Sequence, residues 1–267
     1  WEGSQDLLPR STVHRYHETP FPSQQCRRDW PTIDPARFRL GVFMRRAAAI
    51  AGICIVVSGC ASTSSAESTT PTRTMIPRPL VERELGEVLL NPEDAAAVMG
   101  VPAMTVTESQ TAMSDHSDIM EPRECLAIDG AAESQVYADS GFQAERDQSL
   151  NDGEGWKTYV KQAVVLFPYL EKAAEFFDAS ARQWPACHEY THTQSGSRWN
   201  PGPIVREDNR LSTVAMQQDA AAPGWGCGRA LVHRNNVIVD VNTCSADPAD
   251  TAVKIAQQIA ANVAATW

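Results

Sequence analysis

The stretch Arg229-Ala230-Leu231-Val232-His233-Arg234-Asn235-Asn236-Val237-Ile238-Val239-Asp240-Val241 decides how this chain is read. Two apolar-rich runs, Ala230–Val232 and Val237–Val239, flank Asn235-Asn236. Asparagine tolerates positive φ, which a two-residue type I′ turn needs at both central positions. The spacing therefore predicts a β-hairpin turning at Asn235-Asn236. Arg234 then faces Val237, and seven steps outward along both arms bring Cys227 opposite Cys244. Hydrogen-bonded and non-hydrogen-bonded pairs alternate along an antiparallel ladder, so the two cysteines form a non-hydrogen-bonded pair. Their Cα atoms are expected about 4.5 Å apart, at the short end of the range a disulfide spans.

The same register sorts the hairpin side chains by face. Ala230, Val232, Val237, Val239 and Val241 share one face, which is expected in the core. Arg229, Leu231, His233, Ile238, Asp240 and Asn242 share the other. That second face reads as a half-solvated sheet surface. Its mixture of donors, acceptors and aliphatics also suits a ligand cleft. In the cleft reading, Arg229, His233, Asp240 and Asn242 are the candidate ligand-binding residues. Arg229 would pair with an anionic group and His233 would respond to pH.

The 267 residues hold 23 Lys and Arg against 33 Asp and Glu, a net charge of −10. This charge is unevenly spread. Residues 1–59 carry 8 basic and 5 acidic side chains (+3), which leaves 15 and 28 (−13) for residues 60–267. The acidic part lacks the basic stripe of a nucleic-acid binder and the polybasic patch that would hold it on anionic lipid.

The break in charge has a recognisable cause. Met44-Arg45-Arg46 is a short basic segment, and Ala47–Gly59 is an uncharged, mostly apolar run of 13 residues. A bilayer core takes about 20 residues to cross; 13 is the length of a signal-peptide hydrophobic region. The run ends Val57-Ser58-Gly59-Cys60, which resembles a bacterial lipobox, with Cys60 as the residue that receives a diacylglycerol thioether. A Ser/Thr-rich stretch, Ala61–Thr74, follows as a tether. An ordinary cleaved signal peptide and an uncleaved anchor are the alternatives. Arg45-Arg46 alone does not make a twin-arginine motif. Residues 1–43 are rich in Arg, Pro and Gln and show no sustained period; they read as a doubtful or disordered extension ahead of a start at Met44. The expected organisation is an extension over 1–43, a lipoprotein signal over 44–59, a tether over 60–80 and one domain over 81–267.

Of the seven cysteines, Cys26 falls in the extension, Cys54 in the signal region and Cys60 at the lipid site. Cys125, Cys187, Cys227 and Cys244 remain. An even number in an exported domain implies disulfides. With Cys227 facing Cys244, the second bridge is Cys125–Cys187.

Other elements follow from local pattern. Asn91-Pro92-Glu93-Asp94 is a helix start with an Asn cap and Pro in the first turn, and Gly100 is its stop. Met104–Thr107, Gly141–Arg146, Tyr159–Phe167, Glu189–Thr193, Ile204–Val205 and Leu211–Gln217 read as strands, with Tyr159–Phe167 central. Glu124–Tyr137 reads as a short helix carrying Cys125. Pro168–Trp184 is a helix with Leu170, Ala173, Ala174, Phe177, Ala181 and Trp184 in register. A last helix starts at Asp247-Pro248, with Ala252, Ile255, Ala256, Ile259, Ala260 and Val263 on one face. Mixed elements without regular β-α alternation favour α+β, with a mostly antiparallel central sheet and packed helices.

Catalytic motifs are sparse. His188-Glu189-Tyr190-Thr191-His192 matches H-E-x-x-H, which binds zinc when a helix sets the two histidines one turn apart. Pro185 and Cys187 just before it, and the threonines within it, favour a strand, where the two histidines stand about 13 Å apart. A polar strand leaving the Cys187 bridge is the simpler reading. No G-x-S-x-G elbow and no phosphate-binding glycine loop is present. Gly224-Trp225-Gly226-Cys227-Gly228 reads as a flexible approach to the hairpin.

Taken together, Trp225-Gly226-Cys227, Ala230-Leu231, Arg234–Val241 and Cys244, followed by an Ala-rich terminal helix, resemble the extracellular sensor domains of the mycobacterial kinase PknH family. The Asn91-Pro92-Glu93-Asp94 start, Gly100, Cys125, the helix running into Cys187, and Trp199 with Gly202-Pro203 agree. The resemblance covers about residues 85–267. It implies an α+β domain with a central antiparallel sheet, a large cleft on one face and two disulfides paired in sequence order, the pairing the hairpin had reached. It supplies no ligand and no catalytic residues. Many such domains occur as free-standing lipoproteins, and these 267 residues contain no kinase glycine loop, catalytic loop or Asp-Phe-Gly. The expectation is a non-catalytic, monomeric lipoprotein on the outer face of the plasma membrane. It would bind an unidentified small molecule, glycan or lipid of the cell envelope, and would use no cofactor and bind no nucleic acid. An envelope hydrolase using His188–His192 and a structural or adhesive lipoprotein are the rival readings.

Overall fold

The computed structural model describes residues 77–266. The extension, the signal segment, Cys60 and most of the tether lie outside them. The described part opens with a 3-10 turn, Glu82–Glu84, and helices α1 (Leu85–Val88) and α2 (Pro92–Met99). Strands β1 (Thr105–Gln110) and β2 (Met120–Glu121) come next, followed by the 3-10 turn Arg123–Cys125 and helices α3 (Leu126–Asp129) and α4 (Ser134–Tyr137). Then come β3 (Ala144–Asn151), β4 (Tyr159–Leu166), α5 (Leu170–Gln183), the 3-10 turn Trp184–Ala186 and β5 (Tyr190–His192). The chain closes with β6 (Arg198–Pro201), β7 (Val205–Glu207), β8 (Arg210–Gln217), β9 (Gly226–Arg234), β10 (Val237–Ser245) and α6 (Thr251–Ala265).

The strands make one ten-stranded antiparallel sheet in the order β1-β3-β4-β10-β9-β8-β6-β5-β2, with β7 paired to β8. Strand β4 is flanked on both sides, and its second half, Ala163–Leu166, is buried and apolar on both faces, as expected of a central strand. The β9–β10 hairpin has the predicted register, from Arg234↔Val237 to Cys227↔Cys244. Cys227 and Cys244 are disulfide-bonded with Cα atoms 4.1 Å apart, and Cys125–Cys187 is the second bridge.

The turn itself differs from type I′. Asn235 has φ 54° but Asn236 is not in the left-handed region. Tertiary bonds set its conformation: the buried Asn236 side chain accepts from Leu80 N (2.8 Å) and donates to the carbonyls of Leu80 and Phe167. Register survives because side-chain alternation, not turn type, decides which residues can be buried.

Each face of the sheet carries its own core. Val160, Val164, Ala230, Val232, Val237, Val239 and Val241 meet α1, α2 and α6 on one face. Helix α6 contributes Ala252, Ile255, Ala256, Ile259 and Val263, all buried; each large aliphatic there is worth about 1.5–3 kcal/mol of burial. On the other face Val165, Leu211, Leu231 and Ile238 pack under α3, α5 and the Trp184 turn. This corrects the expectation of a half-solvated second face: Arg229, Leu231, Ile238, Asp240 and Asn242 are all buried there. Both cores and both disulfides close within residues 80–263.

Local signals were followed closely in places. Asn91 caps α2 through Asp94 N (2.9 Å), and Gly100 ends it at φ 69°. Helix α6 begins at Thr251, a few residues past Pro248. Leu170, expected in the stripe of α5, is exposed, whereas Ala173, Phe177 and Trp184 are buried. Glycines 226 and 228 are not a flexible approach. They lie inside β9, and a Cβ on Gly226 would stand 2.8 Å from Ala215 O.

Candidate functional site

The second face divides along the strands. Toward the hairpin turn it is apolar and covered by α5; toward the Cys227–Cys244 end it becomes polar and opens into a cleft of about 520 Å³. Register produces the change. The facing residues Ser149, Lys161, Asn242 and Arg229 form one row across β3, β4, β10 and β9, and Asp147, Ala163, Asp240 and Leu231 form the row behind it.

Of the hairpin candidates, only Asn242 reaches the cleft wall. Arg229 and Asp240 are buried together as an ion pair. Arg229 also donates to Val241 O (2.9 Å) and Gly130 O (2.6 Å) and lies over the Trp184 ring. Asp240 accepts from Ala132 N (3.0 Å) and the Tyr137 hydroxyl (2.9 Å), and Asn242 donates to Asp129 O (3.0 Å). These three residues thus hold the segment 129–132 against the sheet, and that segment is one wall of the cleft. His233 sits at the far end, bonded to Asn235 O and beside Phe177. Burial holds its imidazole below the ordinary value, which favours the neutral form.

The cleft is furnished mainly by residues that sequence reasoning missed. Glu133 is buried and binds both the backbone N–H (3.0 Å) and Nδ1 (2.7 Å) of His116. This carboxylate raises the His116 pKa. His192 bonds Asp129 at 2.8 Å. Lys161 Nζ meets Ser114 Oγ at 2.9 Å and stands 3.7 Å from Asp147. The lining is also aromatic, with Trp156, Tyr159, Trp199 and Trp225. Trp156 lies 5.8 Å from Tyr159 and 6.0 Å from Trp225, centroid to centroid. Its loop is fixed by Asp152, whose carboxylate accepts from Lys157 N and Thr158 N. Burial pushes the Tyr159 hydroxyl up to about 12. One signal for this lining was available: Asn151-Asp152-Gly153-Glu154-Gly155-Trp156 puts a tryptophan at the tip of a polar, glycine-rich loop. Nothing in the sequence separated His116 or Glu133 from other surface residues.

The His188–His192 motif lies on and just before the extended strand β5, not on a helix. The one-turn spacing that would bring both imidazoles to one ion is therefore not present. Among the described residues no group of three His, Cys, Asp or Glu side chains is placed to hold a metal ion.

The fold is thus a disulfide-stapled α+β domain with one face of its antiparallel sheet opened into a polar and aromatic cleft. Residues 80–262 match the family described as PknH-like extracellular domain, and the chain belongs to that family. It is 31% identical over 188 residues to the serine/threonine-protein kinase PknH of Mycobacterium bovis, covering 68% of this chain and 31% of that protein. The same identity holds for PknH of Mycobacterium tuberculosis, of which 30% is covered. The chain thus spans about a third of the length of these curated relatives. The crystal structure of the extracellular domain of PknH from Mycobacterium tuberculosis superposes with a TM-score of 0.66 at 30% identity, covering 70% of this chain and 98% of that one. No helix among the described residues is long and apolar enough to cross a membrane.

Proposed function

We propose that the protein is an exported lipoprotein, anchored through Cys60 to the outer face of the plasma membrane. Its sensor-type domain binds a cell-envelope ligand in the cleft, as a monomer and without catalysing a reaction. The observation that carries this reading is the cleft itself: a preformed concavity lined by aromatic rings and ordered polar side chains, the usual composition of a small-ligand site. Support for the anchor comes from the sequence Val57-Ser58-Gly59-Cys60 and the apolar run before it.

Intact mass of the protein processed in an actinobacterial host tests the anchor. The expected species starts at Cys60, carries a diacylglycerol-type mass gain and lacks the four protons of two disulfides. A Cys60→Ser variant loses the gain and leaves the membrane fraction. An unmodified chain starting before Met44 contradicts the anchor.

A further inference from the structure

The geometry points to a neutral saccharide as the class of molecule that fits the cleft between Trp156 and Glu133. This inference deepens the ligand-binding reading above and rests on it. A pyranose or furanose ring presents apolar C–H faces with hydroxyls around its edge, and the cleft offers both complements. Trp156 is 44% exposed despite its size and stands beside Tyr159 and Trp225. A large aromatic left exposed at the mouth of a concavity marks a contact surface. Asp129 and Glu133 line the same cleft; the buried Glu133 already accepts from His116 through both oxygens and Asp129 bonds His192 through one, which leaves Asp129 Oδ2 as the more open acceptor, and charge-assisted bonds from hydroxyls to carboxylates are among the stronger neutral-donor contacts.

Other ligand classes fit less well. An acyl chain needs an aliphatic channel, but the aliphatic side chains lining this cleft are Ile119 and Ala131. An anion bound at Lys161 would share the cleft with Glu108, Asp129 and Glu133. A quaternary cation would find aromatic rings, but Glu133 is already bonded to His116 and Asp129 to His192, which offsets the field that would draw it. Paired carboxylates that still accept hydrogen bonds suit hydroxyls better than ions.

The test uses the chain from Ala61 onward, with tryptophan fluorescence and saturation-transfer NMR. The probes are a printed panel of hexose, pentose and N-acetylhexosamine oligomers, with choline and dodecanoate as representatives of the other classes. The inference expects at least one saccharide to bind with about millimolar affinity or better, with transfer strongest to ring C–H protons. Trp156→Ala should weaken that binding by about tenfold or more with an unchanged melting temperature, since the side chain is exposed. Trp156→Phe should recover part of it, and Glu133→Gln should weaken it with the ring contacts retained. Binding of choline or dodecanoate in place of every saccharide overturns the saccharide and leaves the cleft as a ligand site. Saccharide binding that is indifferent to Trp156 and Glu133 places the sugar elsewhere and overturns the inference. Absence of binding by every probe, together with no mass released on denaturing protein purified from the cell envelope, overturns both readings.

Discussion

At the scale of single residues, the polar side chains under the cleft set the most specific expectations. Glu145 is buried and neither carboxylate oxygen has a hydrogen-bond partner. Burial, with Asp147 nearby, raises its pKa from 4.5 to about 7. A raised carboxyl pKa contributes stability that is whole below the unfolded value and is lost as pH rises through the folded one. The protein should therefore lose up to about 3 kcal/mol from this group between about pH 4.5 and 7. Glu145→Gln should flatten that part of the profile and raise stability at pH 8, measured by denaturant titration across pH; an unchanged slope would count against the account. For the buried pair Arg229–Asp240, removing one partner strands the other. Asp240→Asn should cost about 3–5 kcal/mol, and replacing both by apolar residues should cost less. These residues were visible in the sequence as a mixed hairpin face, but their role was not. Pattern showed that Arg229 and Asp240 share a face; it could not show that the segment 129–132 folds over them and uses up their hydrogen bonds.

At the scale of elements, the hairpin was legible because its register follows from alternation and a two-residue turn, and the Cys227–Cys244 bridge came with it. Strand β3 was not: read over Gly141–Arg146, it runs Ala144–Asn151. Toward the second face it presents Glu145, Asp147 and Ser149, all buried, so the apolar alternation that marks a strand is missing there. Strands β2 and β6 escaped notice for a related reason, being two and four residues long. The Asn236 side chain ties three elements together, and Asn236→Ala leaves Leu80 N and the Phe167 carbonyl buried without it. A loss of about 2 kcal/mol or more is expected by thermal or denaturant unfolding, with faster hydrogen exchange at Leu80. The Cys125–Cys187 bridge closes a separation of 62 residues and joins the turn before α3 to the turn after α5. Replacing both cysteines by alanine should cost up to about 4 kcal/mol. It should also loosen the 129–133 wall more than α6, an ordering that limited proteolysis can read.

At the scale of the molecule, the two ends of the sheet have separate tasks. Residues 78–80 arrive at the hairpin turn, where Arg78 O and Leu80 meet Asn235 and Asn236. The cleft opens at the other end of β9 and β10, seven residues or about 23 Å along the strands. The family membership and the fold agree with the sequence reading, and Cys227, Asn242 and Cys244 of the hairpin that led to it line the cleft. The proposed function puts the ligand in this cleft. Hydrogen–deuterium exchange on the chain from Ala61 onward, with and without cell-envelope extract, tests it most directly. Ligand in the cleft slows exchange in 114–119, 129–133 and 152–158 and leaves α6 and β7 unchanged. Protection confined to α6, β7 or the exposed side of α5, with those three segments unaffected, would contradict it.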